Sequence, residues 1–543
     1  MPMEAFASRR PISADLIGGV SLTGLMLPEA IAYSSIAGLP PSLGVTAAIV
    51  GPLAYAIVGR SRLAVVSATS GAAALLAAGI TSAAIPNVSR ADCALALTLL
   101  VGLFFLVGAA LRLSALTSFI SRAVLQGFGF GLAITIAIRQ LPILLGVAVG
   151  DNAPLEILGS LISHLRDVHW PSVLLGGAGL VFLLLSRRLK FVAGGLLLTI
   201  AAVALMRFAP AGHFGIATAG PLSLQLAIPN LPAMALKDWE RLAQLAFPIA
   251  LVVLAESWAT IRTLAAERGD SVSAEREIAA LGLANVMSAL LRGLPVGAGF
   301  SISNANAQAG TAGRMGAMVI AVAVAVLAFT ASSWIALIPK PVLAAIVISA
   351  LAHALSPKPI YSLFRLGRDQ WIAAVAAIGV LLLGIVNGLL LAVALSVLSL
   401  LRRFANPQIS ILGRIGPHDF VDRSTHPDAS HIPGLLVIRP NGPLFFGNAE
   451  SVLANVGQRA RDDGARAIVL SLEETDDVDS STLEAIAEFR QAMSAQNRLL
   501  ILARVHDRVR AVLDRGGLSD LAASSTFSVD DAVSRATGSN LKE

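Results

Sequence analysis

Long apolar runs separated by short polar or basic turns fill the first 400 residues of the chain. Crossing hydrocarbon takes about 20 apolar residues in a helix, fewer in a half-helix. Runs of this kind cover 15–28, 42–58, 65–80, 93–111, 118–141, 172–186 and 191–207, then 243–261, 276–291, 301–313, 315–337, 341–356, 370–388 and 389–402. Together they predict 14 membrane segments. A proline-containing connection at 208–240 (Pro210, Pro221, Pro229, Pro232) divides them into seven and seven. Seven is an odd number, so the second set would lie inverted in the membrane relative to the first.

Two segments break the pattern, each the third of its half. Residues 292–314, RGLPVGAGFSISNANAQAGTAGR, carry five glycines and Pro295 between apolar flanks. Residues 65–80, VVSATSGAAALLAAGI, are too short and too rich in small residues for a full span, and read as a half-helix entered at Ser67–Gly71. Irregular backbone at membrane depth is tolerated only against protein or a wet cavity. It also exposes the free N–H groups of the helix that follows, which suit an anion. Matching breaks in inverted halves are a transporter pattern, with the binding site where the breaks meet. The plainer alternative is a pair of Gly-rich loops in a chain rich in Ala and Gly.

Beyond Arg403 the pattern changes to alternation of strand and helix, which predicts a small soluble α/β domain. Strands are expected at 434–440, 466–472 and 498–505, a strand or turn at 443–448 and a last short strand at 527–530. Helices are expected at 449–462, 480–496 and 507–515, the last ending at Gly516–Gly517. The predicted organisation is a cytoplasmic arm (1–13), a first membrane repeat (14–207), an extracytoplasmic connection (208–240), a second repeat (241–405), a linker with a possible strand at 409–414 (406–433) and the α/β domain (434–543).

Composition agrees with this division. The 543 residues are 55% apolar and only 14% charged, against about 25% charged in soluble domains. Residues 412–543 hold 14 Lys/Arg and 19 Asp/Glu, whereas residues 1–411 hold 26 and 15. The basic excess therefore belongs to the membrane part and reports topology, not nucleic-acid binding. Arg9/Arg10, Arg60/Arg62, Arg112/Arg122, Arg187/Arg188/Lys190, Arg262/Arg268/Arg276, Arg314, Arg365/Arg368 and Arg402/Arg403 fall on alternate loops. Those loops, and both termini, are expected on the cytoplasmic side of a bacterial inner membrane. The lone Cys93 excludes an internal disulfide, no His/Cys cluster suggests a metal, and no cofactor is expected. No phosphate-binding Gly-x-x-x-x-Gly-Lys-Ser/Thr loop is present, which argues against ATP-driven transport.

Glu256, in the apolar stretch FPIALVVLAESWATI, is the leading candidate for chemistry, because an ionisable group inside a membrane segment is costly and functional by default. It fits a proton-coupling carboxylate or a sodium ligand; the structural alternative is a carboxylate bonded to a broken helix. Glu29 follows Pro28, where the first helix is expected to be disrupted; it is expected to face the same cavity, either as a second proton site or as a carboxylate hydrogen-bonded to the backbone at the break. Tyr33, one turn later, lies on the same side. Thr69, Ser70 and Gly71, and Ser301, Ser303, Asn304 and Ala305, would offer hydroxyl and N–H groups at the two half-helix starts. Two such helix dipoles can hold an anion without an arginine. Asn285, Asn306 and Gln308 are expected to cross-link helices, and Arg139 to snorkel. Asp479–Ser480 precedes a helix in the α/β domain; Ser480 or Ser481 could be phosphorylated, but a helix cap is the preferred reading.

These motifs occur in a familiar order. PEAIAYSSIAGLPPSLG (28–44), AESWATIRTLAAERGD with EREIAALGLANVMSALLRGLPVGAGFSISNANAQAG (255–310), LVIRPNGPLFFGNAE (436–450) and LSLEETDDVDSSTLEAI (470–486) together resemble the SulP/SLC26 anion-transporter family along nearly the whole chain. The resemblance implies two inverted seven-segment repeats with a UraA-like core and gate, a cytoplasmic STAS domain and a homodimer. It also implies that Glu256 and Tyr33 lie beside the substrate, and that the substrate is an anion such as sulfate, a dicarboxylate or bicarbonate. The chain departs from the family in having Glu29 where Gln is frequent, Ile302 where Arg is frequent, and Ser67–Ala68 where Gly-Pro is frequent. The expected activity is proton-coupled anion uptake by alternating access. The alternatives are a sodium-coupled bicarbonate symporter, an uncoupled anion channel and a non-transporting scaffold. No nucleophile–base set suggests an enzyme.

Overall fold

The computed structural model describes residues 12–112, 121–150, 153–188, 194–208, 214–224, 231–311, 313–352, 354–367 and 369–539. Most of the expected N-terminal arm with Arg9 and Arg10, the starts of the expected fifth and seventh segments, Lys190, Pro210, Pro229 and Arg368 lie outside them. The chain divides into two compact units, Met1–Ser396 and Val397–Glu543.

The first unit begins with α1 (Ile12–Ile36), α2 (Pro41–Val58), strand β1 (Val66–Ala68), α3 (Ser70–Ala83), α4 (Arg90–Ala110) and α5 (Arg122–Leu145). The short α6 (Pro154–Ser163) precedes α7 (Trp170–Arg188) and α8 (Gly194–Phe208). The second half repeats the order with α9 (Leu236–Arg268), α10 (Ala274–Leu290), strand β2 (Val296–Ala298), α11 (Phe300–Gln308) and α12 (Met315–Thr330). It continues with the one-turn α13 (Ser332–Ile335), α14 (Lys340–Leu351), the short α15 (Lys358–Leu366), α16 (Gln370–Leu383) and α17 (Ile385–Ala405). Setting aside α6, α13 and α15, the described residues give the 14 predicted segments. Six of these helices are long and apolar enough to cross a membrane outright; the half-helices account for part of the remainder.

Local sequence explains the boundaries. Pro41 starts α2, with its missing N–H at a position that has no helical partner. Ser89 and Ser121 cap α4 and α5 through the N–H groups of Asp92 and Val124. The C-terminus of α2 is closed by arginines from the other half. Arg314 donates to the carbonyls of Ala56 (3.3 Å) and Gly59 (2.7 Å), and Arg276 to that of Val58 (2.8 Å), cations set against the negative end of the helix dipole.

Exchanging the halves preserves the packing. Helix α4 packs on α9 and α10 as α12 packs on α1 and α2, and α5 packs on α16 as α14 packs on α7. This is the pattern of an inverted repeat. One group comprises α1–α4 and α9–α12; α5, α7, α8, α14, α16 and α17 form the other. Two expectations need correction. Helix α1 runs unbroken through Pro28, because surrounding helices can absorb the freed carbonyl inside a membrane protein. The division between α16 and α17 falls at Gly384, at φ 84°, and not at residue 388.

In the second unit, β3 (Ile409–Ile415), β4 (Asp419–Asp422), β5 (Leu435–Pro440), β6 (Ala467–Ser471) and β7 (Leu499–Ala503) form one sheet in the order β4-β3-β5-β6-β7. The β5–β6 and β6–β7 pairs are parallel, and the hairpin β3–β4 occupies part of the segment read as a linker. Strand β5 alternates by the two-residue period of a strand. Leu436 and Ile438 face a core with α18 (Ala449–Asp462), α19 (Ser480–Ala495), α20 (Asp507–Arg515) and α21 (Ser519–Ser524). Leu435 and Val437 face α22 (Val529–Ser539). The strand expected at 527–530 is absent. Val529, Ala532, Val533 and Ala536 recur at helical spacing and are buried, so the stretch closes the sheet as a helix. Only Thr526 bridges to Ala503 of β7.

Candidate functional site

The two unwound segments satisfy each other. Strands β1 and β2 pair antiparallel, Val66 opposite Ala298 and Ala68 opposite Val296, so backbone that leaves helix at membrane depth still finds partners. The Asn285 amide of α10 grips β2 from both sides, accepting from Val296 N (2.9 Å) and donating to Val296 O (2.8 Å). Ser257 of α9 accepts from Ala298 N at 2.9 Å. Two α11 side chains hold the entry to β1: Ser303 Oγ accepts from Val65 N (3.0 Å), and Asn306 Nδ2 donates to Leu63 O (3.0 Å).

From this crossing α3 and α11 depart in opposite directions, and their N-termini meet at one cavity. Thr69 caps α3, its hydroxyl oxygen accepting from Ala72 N at 3.1 Å; Gly299 stands at the cap position of α11. The cavity holds about 740 Å³. One wall is polar, built from α1, the starts of α3 and α11, and α9. The rest of the lining, from α5, α7, α8 and α14, includes Leu125, Phe128, Leu183 and Ile346 together with Ser186 and Ser349. Glu29 and Glu256 both line it, and no Lys, Arg or His does among the described residues.

Glu256 has a close partner in the half-helix. A Cβ placed on Gly71 would stand 2.7 Å from Glu256 Oε1 and 3.1 Å from Oε2. The carboxylate therefore lies against the first turn of α3, at its positive end, in space that any side chain at position 71 would occupy.

Of the residues singled out from sequence, Glu29, Tyr33, Thr69, Ser70, Ser301, Asn304, Ala305 and Glu256 line this cavity. Gly71 does not line it but abuts Glu256. Ser303 is fully buried and turned to Val65. Ile302 lines the cavity where the family often carries Arg. Asn285 and Asn306 cross-link as expected, to strand and loop backbone, but Gln308 lines the cavity instead. Thr260 and Thr263 also line it and were missed. They stand four and seven residues after Glu256, on its face of α9, a spacing that could have revealed them.

Comparison with known proteins agrees with this architecture. The profile of the Sulfate permease family matches residues 12–377, and that of the STAS domain matches residues 426–532. The chain belongs to the Sulfate permease family. It is thus an anion transporter of the membrane and not an enzyme. A probable sulfate transporter of Mycobacterium tuberculosis is 32% identical over 94% of this chain and 92% of its own length. Sulfate transporter 1.1 of Arabidopsis thaliana is 27% identical over 91% and 81%. Among solved structures, the murine Solute Carrier 26 family member A9 anion transporter in the inward-facing state superposes with a TM-score of 0.89 at 20% identity, covering 98% of this chain and 92% of that one. The transmembrane domain of the cyanobacterium bicarbonate transporter BicA superposes at 0.62 and 21% identity, covering 72% and 98%. At those identities the likeness is one of fold.

Proposed function

We propose that this permease imports an oxyanion or carboxylate together with a proton, and that Glu256 carries the proton. The observation that carries this reading is the contact between Glu256 and Gly71. An ionised carboxylate there occupies the positive end of α3, the place an incoming anion needs, and repels that anion. A proton on Glu256 removes the charge and frees the helix N-terminus. The anion then binds between the N–H groups of α3 and α11, flanked by the hydroxyls of Thr69, Ser70 and Ser301 and by Asn304. Ile302 adds no fixed charge, so the two half-helix dipoles supply the attraction. Tyr33 and Glu29 form the α1 side of the site. Access alternates as the group α1–α4 with α9–α12 moves against the remaining helices.

Sulfate, a dicarboxylate and bicarbonate all suit this chemistry. The lysine and arginine bias supports an orientation with both termini and the STAS domain in the cytoplasm, and the membrane we assign is a bacterial inner membrane. The family resemblance implies a homodimer, which light scattering of the purified protein tests. Uptake is tested in proteoliposomes with labelled sulfate, fumarate and bicarbonate, under an inward proton gradient, an inward sodium gradient or neither. Proton-dependent uptake that Glu256→Gln abolishes or uncouples supports the proposal. Sodium-dependent uptake replaces it with a sodium symporter, and gradient-independent uptake equal in both proteins removes Glu256 from the mechanism.

A further inference from the structure

Between α14 and α16 the chain forms α15 (Lys358–Leu366), a helix too short to cross hydrocarbon and apart from the cavity lining. Pro357 stands at its cap and Pro359 in its first turn, and Gly367, at φ 63°, ends it. Its two faces differ. Helical spacing puts Ile360, Leu363 and Phe364 on one side, with Ile360 and Leu363 half-buried. It puts Lys358, Ser362 and Arg365 on the opposite side, all three exposed. The helix packs on α5 and α16, and the Phe364 ring meets that of Trp371 on α16 edge-on, with centroids 6.2 Å apart. Around this contact Tyr361 (72%), Leu366 (71%) and Trp371 (71%) are largely exposed.

A short amphipathic helix joined directly to two membrane segments lies where hydrocarbon meets water. At that level aromatic rings sit between acyl chains and headgroups, and basic side chains reach outward. The charge of the stretch suits an anionic surface. Residues 352–371 hold Lys358, Arg365 and Arg368 against one acid, Asp369. A second copy of the chain meeting this face across a two-fold axis would bring Lys358 and Arg365 against their own counterparts. An anionic lipid headgroup complements them instead.

We propose that α15 is a docking site for anionic phospholipid in the leaflet on the side of the basic loops. Lys358 and Arg365 bind headgroup phosphates whose charge no choline offsets, and Phe364, Leu366, Tyr361 and Trp371 seat among the upper parts of the acyl chains. The docked helix anchors α5 and α16, on which it packs, to that surface. This surface is independent of the ion that couples transport.

The test reads the fluorescence of Trp371 in the full chain, with Trp170, Trp239, Trp258 and Trp334 replaced by Phe. The protein is placed in phosphatidylcholine vesicles that contain a minor fraction of phosphatidylglycerol. Brominated acyl chains, which quench tryptophan on contact, are carried by one lipid or the other at equal mole fraction. A basic group at the membrane surface favours anionic over zwitterionic lipid about fivefold. Brominated phosphatidylglycerol should therefore quench Trp371 severalfold more than brominated phosphatidylcholine, and high salt should narrow the difference. In the double variant Lys358→Gln, Arg365→Gln the two lipids should quench alike. If the single-tryptophan protein does not fold, the Trp371 signal is taken as the difference between wild type and Trp371→Phe. Equal quenching by the two lipids without the glutamine substitutions overturns the proposal, as does a preference that survives in the double variant. Quenching by neither lipid also overturns it, and assigns the face to protein.

Discussion

Replacing Asn285 by Ala tests whether the strand crossing depends on the side chain that clasps it. The amide is wholly buried and makes three hydrogen bonds, two with Val296 and one with Leu281 O of its own helix. The Leu281 carbonyl keeps its helical position, so its loss matters little. The Val296 N–H and carbonyl lose their partner in the interior, and each buried group left unmade costs about 1–3 kcal/mol. Interhelical polar contacts in membrane proteins run nearer 1 kcal/mol, so the total is about 2–4 kcal/mol. At roughly 2 °C per kcal/mol for a domain of this size class, the apparent melting temperature in detergent should fall by about 4–8 °C. Transport should fall further, because β2 positions the start of α11. Asn387→Ala is the control: that amide is exposed and bonds to Leu383 O, one turn back in its own helix, and its removal should leave melting within about 1 °C. Melting and uptake unchanged in Asn285→Ala would refute the claim that this clasp holds the crossing.

Other substitutions probe neighbouring parts of the account. Gly44→Ala would place a Cβ 1.9 Å from the Ala30 carbonyl oxygen on α1; backbone cannot yield that far, and the folded yield measured by size-exclusion chromatography should collapse. For Gly71→Ala the three atoms nearest the new Cβ all belong to the movable end of Glu256, so the protein should fold normally while uptake drops at least tenfold, about 1.4 kcal/mol in the barrier. In the STAS domain, Asp479 accepts from Thr482 N and Phe446 N, both at 2.8 Å. Burial pushes its carboxyl up, but these hydrogen bonds outweigh that and hold it below the usual carboxylate range. Its stabilising contribution is therefore present at neutral pH and lost as pH falls below about 4, through its depressed value. Asp479→Ala should remove about 1–2 kcal/mol at pH 7 and flatten the acid limb of the full-length protein's STAS unfolding transition.

The order of elements in both units was legible because its determinants are local. Segment lengths and turn residues lie within one stretch of chain, and Ala449–Asp462 and Asp507–Arg515 begin and end where their apolar spacing does. What the sequence did not reveal depends on partners distant in the chain. The pairing of Val66 with Ala298 joins positions more than two hundred residues apart, and three-residue strands leave no periodicity to read. Ser303 carried the chemistry of a ligand-facing hydroxyl, yet Val65 N claims it. Pro28 carried the signal of a break, yet the surrounding helices keep α1 continuous. The shared cavity of Glu29 and Glu256 was readable as two costly charges; the contact of Glu256 with Gly71 required the fold.

The most direct measurement is the initial rate of labelled anion uptake by proteoliposomes with and without an inward proton gradient, in wild type and Glu256→Gln. The account predicts wild-type uptake that rises steeply with the gradient, and a variant in which the gradient has no effect. Equal stimulation of both proteins by the proton gradient would contradict it.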